Sequence, residues 1–403
     1  MSRNFLISLV TVGIALLMSG CGQTRAPSLT REELFTLAYG TMEDEVELFM
    51  DGGAIDRKTN LFMGGGLFRI ASGYGNRVME FTSYGDLISL YYDPDENPSP
   101  VLLQSATDPD HIANRQAYEF PFNVVGDVSV SGDGFLLVED QVPARVAEFD
   151  DELGVMLNRI VVRFDTEGNQ IDYLGQEGIG GTYLPYIQRI ETTANGDIVV
   201  VTAAPPRTIV YWYAADGTLI RRVDIAPEYF PIPSDQQTFP VLEAVYPDRE
   251  LRRLYAKFNY HVVTTPADPG NGGATGGQMS RIYWLDINDG TYAGFVDVPK
   301  NVKRDGVMGQ LGEETEFQYE FLGTAPGEHL FLLSQESTQT SQLLILNANG
   351  RVVRRRTLEI DYDEVVYRDL HISDTGILSG LLATREDVRI VWWRTDRLFA
   401  GRK

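Results

Sequence analysis

One phrase recurs along this chain: an apolar strand that runs into a glycine turn and continues as a second short strand. Its copies are Asn76–Phe81 with Gly85, Asn158–Phe164 with Gly168, Thr208–Tyr213 with Gly217, Ser280–Leu285 with Gly290, and Ser341–Leu346 with Gly350. A sixth, Val388–Trp393, lacks the glycine and lies near the C-terminus. The glycines are 83, 49, 73 and 60 residues apart, a unit of about 45–50 residues interrupted by insertions. Two further strand-like runs precede each phrase, as in Asp197–Val201 or His329–Leu333. Each unit therefore reads as four antiparallel strands with a glycine-containing hairpin between the third and fourth.

The expected fold is all-β: a β-propeller of six four-stranded blades. A ring has to close, because an open sheet edge invites pairing with other chains. The sixth unit stops after its third strand, and the N-terminal run Glu33–Gly40 has no first three strands of its own. That run is expected to supply the missing fourth strand. A seventh blade stays open as an alternative if residues 93–121 hide strands around Val101–Leu103 and Ala117–Phe120.

The phrase resembles the NHL repeat, whose blades carry an N-x-R-V/I strand followed by an aromatic and a turn glycine. Here Asn and Arg are adjacent, one residue short of that pattern. The runs Met79–Leu87 and Tyr173–Gly181 look like a family of uncharacterised spirochaete lipoproteins with such a propeller. The resemblance implies a propeller and a lipid anchor; it implies no activity.

The first residues carry an address. Arg3 supplies a positive start, and Phe5–Met18 form an apolar run too short to span a bilayer. The run ends Leu17-Met18-Ser19-Gly20-Cys21, which resembles the lipobox of bacterial lipoproteins, and Cys21 is the single cysteine of the chain. Residues 1–20 are thus expected to be a signal peptide, Cys21 the lipidated (palmitate-type) N-terminus, 21–32 a polar tether and 33–403 the propeller. No Asp follows Cys21, which favours the outer membrane of the cell envelope. More than one acyl chain would be needed for firm anchoring.

Composition narrows the partners. With 34 Lys+Arg against 57 Asp+Glu the formal charge is −23, which disfavours nucleic acid and anionic surfaces and favours basic or neutral proteins. One cysteine leaves no disulfide and no Cys-ligated metal. No G-x-S-x-G elbow, Walker A loop, H-E-x-x-H or G-x-G-x-x-G occurs, so no catalytic residue and no cofactor is expected. Asp93-x-Asp95-x-Asn97 opens like a calcium loop, but Pro98 and Gln104 stand where an EF-hand needs Gly and Glu. His111 beside Asp108 and Asp110 is read as a solvated loop, and His261, His329 and His371 as packed, edge or turn residues. No metal site is expected.

Position of the insertions is the functional clue. In a blade, the second-to-third loop and the link to the next blade share one face. The long segments 93–121, 143–157, 226–239, 264–280 and 299–318 all fall there, while the third-to-fourth turns on the other face are tight. Repeat proteins commonly bind through the insertion-bearing face. Segment 143–157 has Val146, Phe149, Leu153 and Leu157 at helical spacing after Pro143, which predicts a short helix. Its acidic residues Asp150, Asp151 and Glu152 are candidate binding residues. The expected function is a lipid-anchored scaffold binding an envelope protein. The alternatives are a metal-dependent hydrolase or sugar dehydrogenase of propeller type, or a small-molecule or glycan receptor.

Overall fold

The computed structural model describes residues 26–49, 57–105, 115–233, 238–262, 278–305 and 313–399. Six four-stranded antiparallel blades make up the ring, five built from successive strands and the sixth completed by the N-terminal strand. Blade 1 is Thr59–Gly64, Leu67–Ser72, Arg77–Thr82 and Leu87–Tyr92. Blade 2 is Val125–Val130, Leu136–Gln141, Arg159–Phe164 and Gln170–Gly175. Blade 3 is Tyr186–Thr192, Ile198–Ala204, Arg207–Tyr213 and Leu219–Ile225. Blade 4 is Thr238–Pro247, Arg253–Val262, Gln278–Asp286 and Tyr292–Asp297. Blade 5 is Glu320–Ala325, His329–Gln335, Thr340–Asn347 and Val352–Glu359. Blade 6 is Tyr367–Ile372, Leu378–Ala383, Val388–Trp393 and, as its outermost strand, the N-terminal Glu32–Leu37.

That last strand closes the ring. Glu32 pairs with Trp392 and Leu37 with Val388, antiparallel, with a bulge between Glu33 and Phe35. Phe35 reaches across to blade 1, its ring centroid 5.4 Å from that of Phe81 and 5.9 Å from that of Phe68. The N-terminal strand therefore joins two blades as well as completing one.

The core is six seams, one between each pair of adjacent blades. Val210 and Trp212 pack with Leu254, Phe258 and Leu285 between blades 3 and 4. Ile209, Tyr211 and Tyr213 of the same strand pack with Leu137, Val161 and Leu174 between blades 2 and 3. A third strand has a seam on each face, which is why Ile209–Tyr213 is apolar without alternation and wholly buried. The recurring glycine has an equally local cause. Gly85, Gly168, Gly217, Gly290 and Gly350 all have φ between 72° and 89°, the left-handed conformation that completes these bulged hairpins.

Two expectations are corrected. Residues 143–157 form no helix: Glu148–Asp150 and Val155–Leu157 pair as a hairpin. The apolar spacing there coincides with a turn, in which Asp150 Oδ1 accepts the amides of Glu152 and Leu153, both at 2.9 Å, and Gly154 adopts φ +69°. The seventh blade is absent among the described residues. Gln104–Ser105 and Gln116–Glu119 instead extend the blade 1 sheet, the latter pairing parallel to Leu87–Tyr92. Residues 26–31, assigned to the tether by sequence, lie along blade 5, where Leu29 N donates to Thr357 O at 2.9 Å.

Candidate functional site

Each blade contributes its first strand to a central channel. In blades 2, 3, 4 and 5 these inner strands are bulged, between Val125 and Val128, Ile187 and Arg189, Leu242 and Ala244, and Phe321 and Gly323. A bulge re-aims side chains. Three carboxylates then tie alternate blades to the next: Asp127 accepts Ile190 N at 2.6 Å, Glu243 accepts Phe321 N at 2.9 Å, and Asp369 accepts Leu61 N at 2.7 Å.

At the insertion-bearing mouth, Lys58 binds Glu139 at 2.6 Å and also donates to Ile187 O. Arg159 approaches Glu139 at 3.5 Å, and both cations lie over the Tyr186 ring. Deeper, Arg189 stacks 3.8 Å above the Tyr246 ring beside a chamber of about 120 Å³ lined by Asp127, Asp369 and His371. Met63 N donates to His371 Nδ1 at 3.2 Å. Arg249 seals the far end. It pairs with Glu191 at 2.9 Å and donates to the carbonyls of Thr192, Thr324 and Ile372, from blades 3, 5 and 6.

Burial sets the titration of this channel. It raises Asp127 to about 7 despite Lys58, and raises Asp369 to about 6 against the amide of Leu61. Asp140, which accepts the amides of Asn123 and Val124, is likewise raised by burial to about 6. Burial, reinforced by Arg249, lowers His371 to about 3. Each Asp favours the folded state fully below its unfolded value of 3.8 and loses that contribution as pH rises through its folded value. His371 acts oppositely, its contribution present above 6.5 and lost towards 3. Three carboxyls outweigh one imidazole, so the melting temperature should rise between pH 8 and pH 5, by on the order of 2 kcal/mol of stability. Asp127→Asn should flatten that slope; an unchanged slope would refute the assignment.

The opposite, tight-turn face is not featureless. First-to-second-strand turns of the blades surround a hollow of about 550 Å³ with Phe62, Leu67, Val130, Ala194 and Pro326 in its wall and Arg249 at its base. Its turns share a pattern that sequence reading missed: Ser131-Gly-Asp-Gly134, Thr193-Ala-Asn-Gly196 and Ser373-Asp-Thr-Gly376 each end in a glycine with φ of 80° to 85°. Exposed apolar side chains gather on the insertion-bearing side instead. Phe149 on the hairpin, Tyr229 in the blade 3 to blade 4 link and Phe239 at the start of blade 4 are 58%, 72% and 64% exposed, joined by Val101, Leu102 and Ile232. The tight-turn side shows Tyr84 and Leu251, with Ile171 and Val352 just after two of its turns.

Asp151 and Glu152 stand exposed at the tip of the Glu148–Leu157 hairpin, while Asp150 is occupied in shaping that turn. Asp93 is likewise a turn residue: its Oδ1 accepts Asp95 N at 2.9 Å, and Asn97 Oδ1 accepts from Arg77. Among the described residues no three His, Cys, Asp or Glu side chains gather as a metal-ligand set. Cys21, His111 with Asp108 and Asp110, and nearly all of the loop 264–280 lie outside the described residues.

The strand pairing defines a six-bladed β-propeller. No protein-family model matches the chain, and no curated protein matches it. Solved structures similar in fold include the Dos1 propeller, at 10% identity and TM-score 0.39, covering 87% of this chain and 81% of that one. Hydrazine synthase of Kuenenia stuttgartiensis is similar at 11% identity and TM-score 0.41, covering 86% and 99%. A protein of unknown function from Bacteroides caccae follows at 10% and 0.31, covering 76% and 83%. Likeness at this level says nothing of activity or partner.

Proposed function

We propose that this protein is a docking propeller, held in the cell envelope by a lipid on Cys21, that binds a protein partner through its insertion-bearing face. The observation that carries this reading is the collection of exposed apolar side chains, Phe149, Tyr229, Ile232 and Phe239, on one side of the ring. Exposed apolar groups rimmed by polar ones mark interaction surfaces. Asp151 and Glu152 add negative charge beside Phe149, suiting a basic or neutral partner. Several insertions together can supply the ~800 Å² per side that a stable protein contact needs. Outer-membrane placement rests on the residues after Cys21.

Two experiments test the two halves of the proposal. Cys21→Ser should shift the protein from the detergent phase to the aqueous phase or leave it unprocessed; partitioning equal to the parent would refute the anchor. For docking, Phe149→Asp with Tyr229→Asp should abolish capture of the partner identified with the parent protein while leaving the melting temperature within ~1 kcal/mol equivalent. Reversing Asp151 and Glu152 to Lys in the otherwise unchanged protein should weaken capture. Ala194→Trp, which fills the hollow on the tight-turn face, and Glu167→Lys in a turn of that face should leave capture intact. Loss confined to Ala194→Trp would favour the small-molecule receptor, for which the 550 Å³ hollow is the supporting observation.

A further inference from the structure

We propose that the outer edge of blade 5 faces the membrane and meets anionic phospholipid headgroups beside the anchored N-terminus, an inference that rests on the lipid at Cys21. Overall charge argues the other way, at −23 for the chain. Locally the sign reverses. The outermost strand of blade 5 carries Arg354, Arg355 and Arg356 in succession, with Arg351 in the turn before it. Arg351 and Arg355 are exposed and the other two half-buried. None of the four forms an ion pair among the described residues: Arg354 donates to Val353 O at 2.7 Å and Arg356 to Arg355 O at 2.8 Å. Several arginines near other outer edges are neutralised, Arg222 by Asp224 at 3.0 Å in blade 3, Arg163 by Asp172 at 2.6 Å in blade 2, and Arg281 by Asp297 at 2.7 Å in blade 4, while Arg221 of blade 3 stands exposed as a single arginine with no ion pair among the described residues.

The chain itself says where the membrane must be. Thr357, next to Arg356, binds the N-terminal segment from both sides: its Oγ1 donates to Ala26 O and its amide to Pro27 O, each at 3.1 Å, while Leu29 N donates to its carbonyl. Ala26 is five residues from Cys21. Five residues span at most about 18 Å. A lipid on Cys21 thus keeps this edge close to the headgroup layer. Unpaired guanidiniums there gain from phosphate, which they contact in a bidentate manner. Glu359 at the strand's end is the acidic residue the strand itself sets against them. The ring then stands on its edge, leaving the insertion-bearing face free to the side.

The test is arginine footprinting of the lipidated full chain, purified from membranes and reconstituted into phosphatidylcholine vesicles with or without phosphatidylglycerol. Phenylglyoxal modification of Arg354–Arg356 should fall about fivefold or more on the phosphatidylglycerol vesicles and recover in high salt, with Arg221 and Arg222 of blade 3 unchanged throughout. Equal modification on both vesicle types, with the protein floating on both, overturns this inference and leaves the anchor standing. Failure to float on either overturns the anchor and the inference with it.

Discussion

Deleting residues 33–40 is expected to lower stability by several kcal/mol and to make the ring associate through its opened edge. The deleted strand makes the pairing from Glu33 to Leu37 with Val388–Val391, so its loss bares the edge of the third strand of blade 6. It also removes Leu37 and Phe35 from the seam with blade 1, where large apolar truncations cost about 2–5 kcal/mol each when fully buried. Tyr39 OH, which donates to Thr384 O at 2.6 Å, and the Gly40 carbonyl that Arg77 binds go with it. An exposed strand edge pairs with other chains. Thermal unfolding and sedimentation read both effects. Phe35→Ala, which keeps the strand, should give a smaller loss without association. An unchanged melting temperature in the deletion would mean that blade 6 closes without its fourth strand.

Arg249→Leu is expected to cost about 3–5 kcal/mol, the scale for breaking a buried ion pair from one side. Arg249 and Glu191 are both under a tenth exposed, and Arg249 alone holds carbonyls of three blades. Removing it strands the Glu191 carboxylate and three acceptors at once. Adding Glu191→Gln should recover part of the loss, because the uncompensated charge is gone. Calorimetry of the two variants checks this. Equal melting temperatures for parent and Arg249→Leu would show that the ring does not depend on its central plug.

Closure was legible because it is a matter of counting: five units had a fourth strand, the sixth did not, and Glu33–Gly40 stood unused. The glycine phrase was legible because a left-handed turn residue and a doubly buried strand leave marks within one short window. The channel left none. Asp127, Glu243 and Asp369 act alike but lie more than a hundred residues apart, and Arg249 sits in a turn that looks solvated. Only the ring brings them together. Segment 143–157 misled for a physical reason, since Phe149 and Leu153 suit one helical face, yet Asp150 and Gly154 prefer a turn. Asn76 and Arg77 were read as a motif; their work is tertiary. Asn76 Oδ1 accepts Val125 N of blade 2 at 3.2 Å, and Arg77 holds the link that follows the N-terminal strand through the Gly40 and Glu45 carbonyls.

Photo-crosslinking in intact cells tests the central claim most directly. A photoreactive residue at Phe149, Tyr229 or Phe239 should join this protein to one and the same partner protein, while the same residue at Tyr84 or Leu251, exposed on the tight-turn face, should not. Adducts to that partner from Tyr84 and Leu251 alone would contradict the assignment of the docking face, and adducts from none of the five positions would contradict docking itself.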